Sequence, residues 1–93
     1  MHHTLPSISV GPGGRIHVAW EAQAQETRDA FLYYTFSDDG GESFAEPQVI
    51  ADNQEPKRGN PMKPVIVVDA EGHVALAWLD RLGTRLARWT DTR

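Results

Sequence analysis

Three acidic side chains lie close together in a segment rich in turn-forming residues, 37–44. Asp38, Asp39 and Glu42 are carboxylates of the kind that bind cations or transfer protons. The ligand spacing of an EF-hand calcium loop is absent, so the sequence predicts no metal here. The aromatic, strand-like run 31–36 precedes the segment and a second extended run follows it, which indicates a hairpin turn. In such a turn we expect Asp39 to accept hydrogen bonds from backbone N–H groups and to serve the fold, not catalysis.

An internal repeat organises the strands on either side of this turn. Residues 6–20 align without gaps with residues 64–78, at an offset of 64 − 6 = 58, and six of the fifteen positions are identical. Each copy has a short apolar run, a turn with a shared glycine (Gly14 or Gly72) and an alternating strand that ends in tryptophan. The glycine permits a positive φ in the turn. The repeat therefore predicts two similar β-sheet units.

The two units give an all-β chain. The first unit, 6–50, is predicted to form a four-stranded antiparallel sheet, and 51–63 is a polar segment that crosses to the next unit. The second unit, 64–93, contains three predicted strands, of which the last is Leu86–Trp89, and lacks a fourth. Both faces of the strand 31–36 are largely apolar, which favours a sheet that is covered on both sides.

The acidic turn resembles a known family motif. Its residues follow the pattern Ser-x-Asp-x-Gly-x-Ser/Thr-aromatic, which resembles the Asp-box, or bacterial neuraminidase repeat, of the sialidase-like (neuraminidase) superfamily of β-propellers. The resemblance implies blades of four antiparallel strands, of which this chain would hold about two, the second incomplete. It also implies that the box is structural, lies away from the substrate pocket and packs its aromatic residue against the blade. The residues of the box are Ser37, Asp39, Gly41, Ser43 and Phe44.

Two blades are too few for a closed propeller, which generally needs about four to eight. When Phe36 is aligned with Trp89, the second copy ends where its box would begin, with Thr92 in the place of Asp39. An open pair of blades would expose sheet edges and apolar faces. The chain is therefore expected to be either a piece of a longer protein, which is the simpler interpretation, or a subunit that closes by self-association, for example as a trimer. The sequence leaves the oligomeric state open.

The resemblance also suggests where ligands would bind. Sialidases hold the substrate carboxylate with three arginines, and they use an acidic acid/base residue and a tyrosine nucleophile paired with a glutamate. A guanidinium fork suits a carboxylate, and loop carboxylates suit acid/base chemistry. On the loops that would lie opposite the box, the candidates are Arg28, Arg58, Arg81, Glu26, Asp29 and Asp80.

No complete catalytic set is present in the sequence. The family's Arg-Ile-Pro signature is absent, because Arg15-Ile16 is followed by His17, and Tyr33 and Tyr34 fall inside a predicted strand. We therefore assign no catalytic residue and expect the isolated chain not to be an enzyme, although the parent family contains glycoside hydrolases. The leading hypothesis is a segment of a glycan-directed propeller. The alternative is a non-enzymatic propeller that binds carbohydrate or protein and closes by homo-oligomerisation.

The remaining histidines and tryptophans are interpreted as structural. His17 and His73 occupy different positions in the repeat and belong to no metal-ligand motif, so no metal or cofactor is predicted. Trp20 and Trp78 occupy equivalent positions, which favours core packing over sugar stacking.

Composition excludes several classes of protein. The chain has 93 residues, a formal net charge of −4 and no cysteine. It cannot be a disulfide scaffold, and its charge argues against nucleic-acid binding. No apolar run approaches the roughly 18 residues of a membrane span. No signal peptide is visible, and the compartment stays open, although proteins of the family are often secreted or periplasmic.

Overall fold

The computed structural model describes residues 2–3, 6–23, 30–52 and 61–90, of which residues 2–3 are described by backbone alone. This part of the chain folds into eight β-strands and one short 3₁₀ turn, Pro12–Gly14. The predicted all-β class is therefore confirmed. The strands form two separate antiparallel sheets, and neither sheet closes on itself within the described residues.

The first sheet is four strands wide. A central hairpin of β3 and β4 pairs along its full length, from Ile16 opposite Ser37 to Gln23 opposite Ala30. β5 pairs with the other side of β4, whereas β1 and β2 follow one another along the free edge of β3. The strands are β1 (His2–His3), β2 (Ser7–Val10), β3 (Ile16–Gln23), β4 (Ala30–Ser37) and β5 (Gln48–Ala51).

The second sheet contains three strands, β6 (Met62–Val68), β7 (His73–Asp80) and β8 (Gly83–Thr90), in that order. A two-residue turn joins β7 to β8, so that Asp80 pairs with Gly83. The pairing of β6 with β7 is interrupted by a bulge between Met62 and Val65.

The core lies between the two sheets. Alternation along each strand sends one set of side chains inward, and these sets meet at the inner faces of the two sheets. The buried apolar side chains are Ala19, Leu32 and Tyr34 from the first sheet and Ile66, Val74, Leu76 and Trp78 from the second. Burial of such side chains supplies most of the favourable free energy of folding.

The first strands of the two repeats lie side by side and run in the same direction. The backbone N–H groups of Ile66 and Val68 in β6 donate to the hydroxyls of Ser7 and Ser9 in β2, at 3.0 and 3.2 Å. These bonds satisfy donors at a sheet edge that would otherwise be open. They also place corresponding ends of the two sheets together.

Several details differ from the sequence predictions. The chain before β2 contributes the two-residue strand β1, which was not predicted, and β8 begins at Gly83, earlier than expected. β5 extends to Ala51 and β6 starts at Met62, so the crossing between units is shorter than 51–63. These strands extend because ladder hydrogen bonds from the neighbouring strand outweigh the polar character of the local sequence.

The register also corrects the alignment of the two units. Ile16 faces Ser37, and its repeat equivalent Val74 faces Trp89. Trp89 therefore corresponds to Ser37 and not to Phe36. With this register, Asp39 aligns with residue 91 and not with Thr92 as predicted. Both positions lie outside the described residues.

No helix in the described part of the chain is long and apolar enough to cross a membrane.

Candidate functional site

The acidic segment 37–44 forms a turn that is held together by its own side chains. The Ser37 hydroxyl, only 1% exposed, donates to Oδ1 of Asp39 at 2.7 Å and accepts from the Gly41 N–H at 3.0 Å. Ser43 supplies further contacts: its N–H donates to Asp39 Oδ1 at 2.9 Å and its hydroxyl donates to Oδ2. The carboxylate of Asp39 is therefore engaged within the turn.

These bonds change the acidity of Asp39. The hydroxyl and N–H of Ser43, followed by the hydroxyl of Ser37, lower the pKa of Asp39 from 3.8 to about 2. A carboxylate held in the charged form by such donors is a poor proton donor near neutral pH. Two glycines of the turn, Gly40 and Gly41, have φ values of 74° and 96°, a region that L side chains rarely adopt.

An ion pair fastens the neighbouring turn to this segment. Arg15, which follows the 3₁₀ turn, donates from Nε and Nη2 to the two carboxylate oxygens of Asp38 at 2.8 and 2.9 Å. The same guanidinium lies 4.0 Å from the centroid of the Phe36 ring. Such a bidentate contact fixes orientation as well as charge. Arg15 and Asp38 thus hold two strand connections together.

The turn between β6 and β7 in the second sheet corresponds to residues 11–15 of the first repeat. Oδ1 of Asp69 accepts from the N–H groups of Glu71 and His73 at 2.9 and 3.0 Å, and Oδ2 lies 3.0 Å from Nδ1 of His73. The His73 N–H makes the largest contribution to lowering the pKa of Asp69. We call the end of the sheets that carries these turns and segment 37–44 the box end.

Phe44 differs from the expected aromatic plug. Its side chain is 48% exposed and lines an open groove with Val18, Trp20 and Pro47 on the outer face of the first sheet. The end of segment 37–44 is held instead through the backbone of Ala45, whose N–H donates to the Phe36 carbonyl at 2.9 Å and whose carbonyl accepts from the Thr35 hydroxyl.

The histidines and tryptophans have different environments. His17 is fully buried, and its Nδ1 lies 2.8 Å from the Tyr34 hydroxyl, whereas His73 is exposed in its turn. Trp78 is buried in the core, but Trp20 is half-buried and stacks on Tyr33 at 5.5 Å. Within the described residues no group of three or more His, Asp or Glu side chains could hold a metal ion.

The opposite end, where β3 and β7 end and β6 begins, is called the loop end. Of the six loop candidates, Arg28, Arg58, Glu26 and Asp29 lie outside the described residues. Arg81 is an exposed residue of the turn between β7 and β8. The Asp80 side chain is nearly buried, and it accepts from the Leu82 N–H at 2.8 Å and lies 3.8 Å from Arg85 Nη1. Asp80 therefore stabilises the turn.

A carboxylate that is not among the six loop candidates also lies at the loop end. Burial raises the pKa of Glu21 above its usual value, although a hydrogen bond from the Lys63 backbone acts in the opposite direction. Lys63 itself has a φ of 54° within the β6 bulge. Bulges and unfavourable backbone angles occur often next to functional sites. The signal in the sequence is that the repeat aligns Glu21 with Leu79, so that a carboxylate takes the place of an apolar side chain.

No protein-family model matches the chain, and no curated protein matches its sequence.

Proposed function

We propose that this chain provides two blades of an Asp-box β-propeller of the sialidase-like superfamily, and that it binds glycans at the loop end without hydrolysing them on its own. In a complete propeller, the same end would serve a glycoside hydrolase or a glycan-binding protein. The observation that carries the proposal is the contrast between the two ends: the carboxylates of one end are held by internal bonds, and the other end has the part-buried carboxylate of Glu21 beside a strand bulge.

The bonding of the box end supports a structural role for that end. Asp39 receives its hydrogen bonds from Ser37 and Ser43, and Asp38 is paired with Arg15. Carboxylates with these partners gain little from a ligand, because ligand hydroxyls would have to replace bonds that already exist. The box end is therefore a poor place for sugar recognition or acid catalysis.

The loop end offers groups that suit a sugar. Glu21 is a strong acceptor for sugar hydroxyls, and its partial burial strengthens any hydrogen bond that it accepts. Arg81 supplies a planar donor for a carboxylated sugar. No tyrosine of the described chain accompanies them, since Tyr33 and Tyr34 pair within the β3–β4 hairpin. This set of groups favours binding over hydrolysis.

Two measurements on the purified chain test the proposal. A fluorogenic sialoside should show no turnover above the buffer rate, and calorimetric titration should show binding of sialyllactose or lactose. Glu21→Gln and Arg81→Ala should each weaken the binding by about ten- to a hundredfold, because a hydrogen bond to a charged group contributes about 1.5–3 kcal/mol.

The matched control is Glu42→Gln, the same substitution at an exposed residue of the box end. It should leave glycan affinity unchanged. Robust sialoside turnover would overturn the non-catalytic assignment. Absence of binding to both sugars, or equal losses in Glu21→Gln and Glu42→Gln, would overturn the glycan site at the loop end.

A further inference from the structure

Each sheet has an outer face with exposed apolar side chains. On the first sheet, Ile8 and Val10 are 60% and 62% exposed, and on the second sheet Val65 and Val67 are 56% and 58% exposed. Neighbouring strands extend both faces. The register places Ile16, Val18, Trp20 and Tyr33 beside Ile8 and Val10 on the first outer face, with Thr35 also on that face. On the second outer face it places Ala75, Ala77, Leu79 and Leu86 beside Val65 and Val67, with Arg88 opposite Ala75.

The 58-residue repeat relates these outer faces to the inner faces that already pack together. Five residues of the first outer face correspond to five residues on the inner face of the second sheet. In order, Ile8, Val10, Ile16, Val18 and Trp20 correspond to Ile66, Val68, Val74, Leu76 and Trp78. The latter set packs against the inner face of the first sheet. The outer face of the first sheet is therefore of the same kind as a face that binds a sheet.

The converse holds for the second sheet. Its outer residues Val65, Val67, Ala75 and Ala77 correspond to Ser7, Ser9, His17 and Ala19, which lie on the inner face of the first sheet. The contact between the two sheets thus joins two different faces, and the unpaired copy of each remains open on the outside. The Trp20–Tyr33 pair on the first sheet corresponds to the Trp78–Arg85 pair on the second. Trp20 stacks on Tyr33, and the Arg85 guanidinium lies 6.0 Å from the centroid of the Trp78 ring.

We propose that the occupant of these faces is a second copy of this chain. The outer face of the second sheet in one copy packs on the outer face of the first sheet in the next, in the geometry of the contact within each chain. The interface joins unlike faces, so it propagates from copy to copy and closes into a ring when the rotation per copy divides a full turn. Three copies give 2 × 3 = 6 sheets, within the range of closed propellers.

One difference makes the β2–β6 part of the contact between copies more apolar than the same part of the contact within the chain. Inside the chain, Ser7 and Ser9 accept N–H groups from β6. Their equivalents on the second outer face are Val65 and Val67, whose side chains have no hydrogen-bond acceptor. The contact between copies therefore depends on burial of apolar area, which makes it sensitive to a charge placed on either face.

The test uses two variants and light-scattering mass over a dilution series. The wild-type chain, of 10.4 kDa, should form a discrete oligomer. Val10→Asp and Val67→Asp each place a charge on one outer face and should each be monomeric. An equimolar mixture of the two should give a dimer, because each variant retains the face that the other has lost.

Ala70→Asp is the matched control, an apolar-to-Asp change in an exposed turn away from both faces. It should keep the wild-type mass, and circular dichroism should show all variants folded. A monomeric wild-type chain overturns the proposal, as does a Val67→Asp variant with unchanged mass. A mixture that remains monomeric overturns the pairing of unlike faces. These readouts are independent of glycan binding, so the two proposals can fail separately.

Discussion

Substitution of Ser37 by alanine tests whether the box turn is a structural device. The Ser37 hydroxyl is buried and makes two good hydrogen bonds, one to Asp39 Oδ1 and one from the Gly41 N–H, besides a longer contact of 3.4 Å from the Asp39 N–H. Alanine removes the donor and leaves the Gly41 N–H without its hydroxyl acceptor. Such a loss costs about 1–3 kcal/mol.

The loss is large compared with the stability of a domain of this size. Small domains have free energies of unfolding of about 5–15 kcal/mol. A change of 1 kcal/mol shifts the Tm of a domain of 60–100 residues by about 4–8 °C. Urea unfolding followed by circular dichroism should show a lower midpoint for Ser37→Ala with an unchanged slope, since the exposed area on unfolding stays the same.

Ser43→Ala is the comparison within the same turn. Its hydroxyl also donates to Asp39, but the bond is exposed, and water can replace it. We expect a loss smaller than that of Ser37→Ala. If Ser37→Ala unfolds at the wild-type urea concentration, or if Ser43→Ala costs more, the reasoning that burial makes Ser37 the centre of the turn is refuted.

Two further predictions concern carboxylates whose pKa values shift in opposite directions. The pKa of Asp39 falls from 3.8 to about 2 on folding. Its contribution to stability is therefore present above pH 3.8 and is lost as the pH falls towards 2. Asp39→Asn should flatten the pH dependence of urea unfolding between these two pH values. The pKa of Glu21 is raised from 4.5, so its contribution favours folding at low pH and is lost as the pH rises through the folded value. Glu21→Gln should therefore gain stability relative to the wild type above about pH 4.5, and an unchanged difference across that range would contradict the burial of Glu21.

The strands were the most predictable part of the fold, because their signals are local. The short apolar run at the start of the first repeat coincides with β2, Ser7–Val10, and the aromatic run 31–36 lies within β4, Ala30–Ser37. The limits of β8 and the pairing of β1 were less predictable, because they depend on hydrogen bonds from a neighbouring strand. The register of β7 against β8 likewise moved Trp89 to the position of Ser37.

In the candidate site, too, local features could be predicted from the sequence and long-range features could not. The turn at 37–44 could be located from its own residues, because glycines, serines and an aspartate specify a turn within a few positions. The raised pKa of Glu21 could not be, because it depends on burial in the folded chain, with a smaller opposing effect of the Lys63 backbone 42 residues further along the chain. The exposure of Phe44 also depends on which sheet covers which face.

The repeat and the turn residues are local signals, so two copies of one β-sheet unit and the strand connection at 37–44 could be read from the chain without a structure. The pairing of faces could not, since the repeat gives each sheet two apolar sides and does not choose between them. The choice depends on long-range packing, in which the inner faces bury Leu32 against Leu76 and Trp78. The same packing leaves Val10 and Val67 exposed, because two stacked sheets can cover only one face of each.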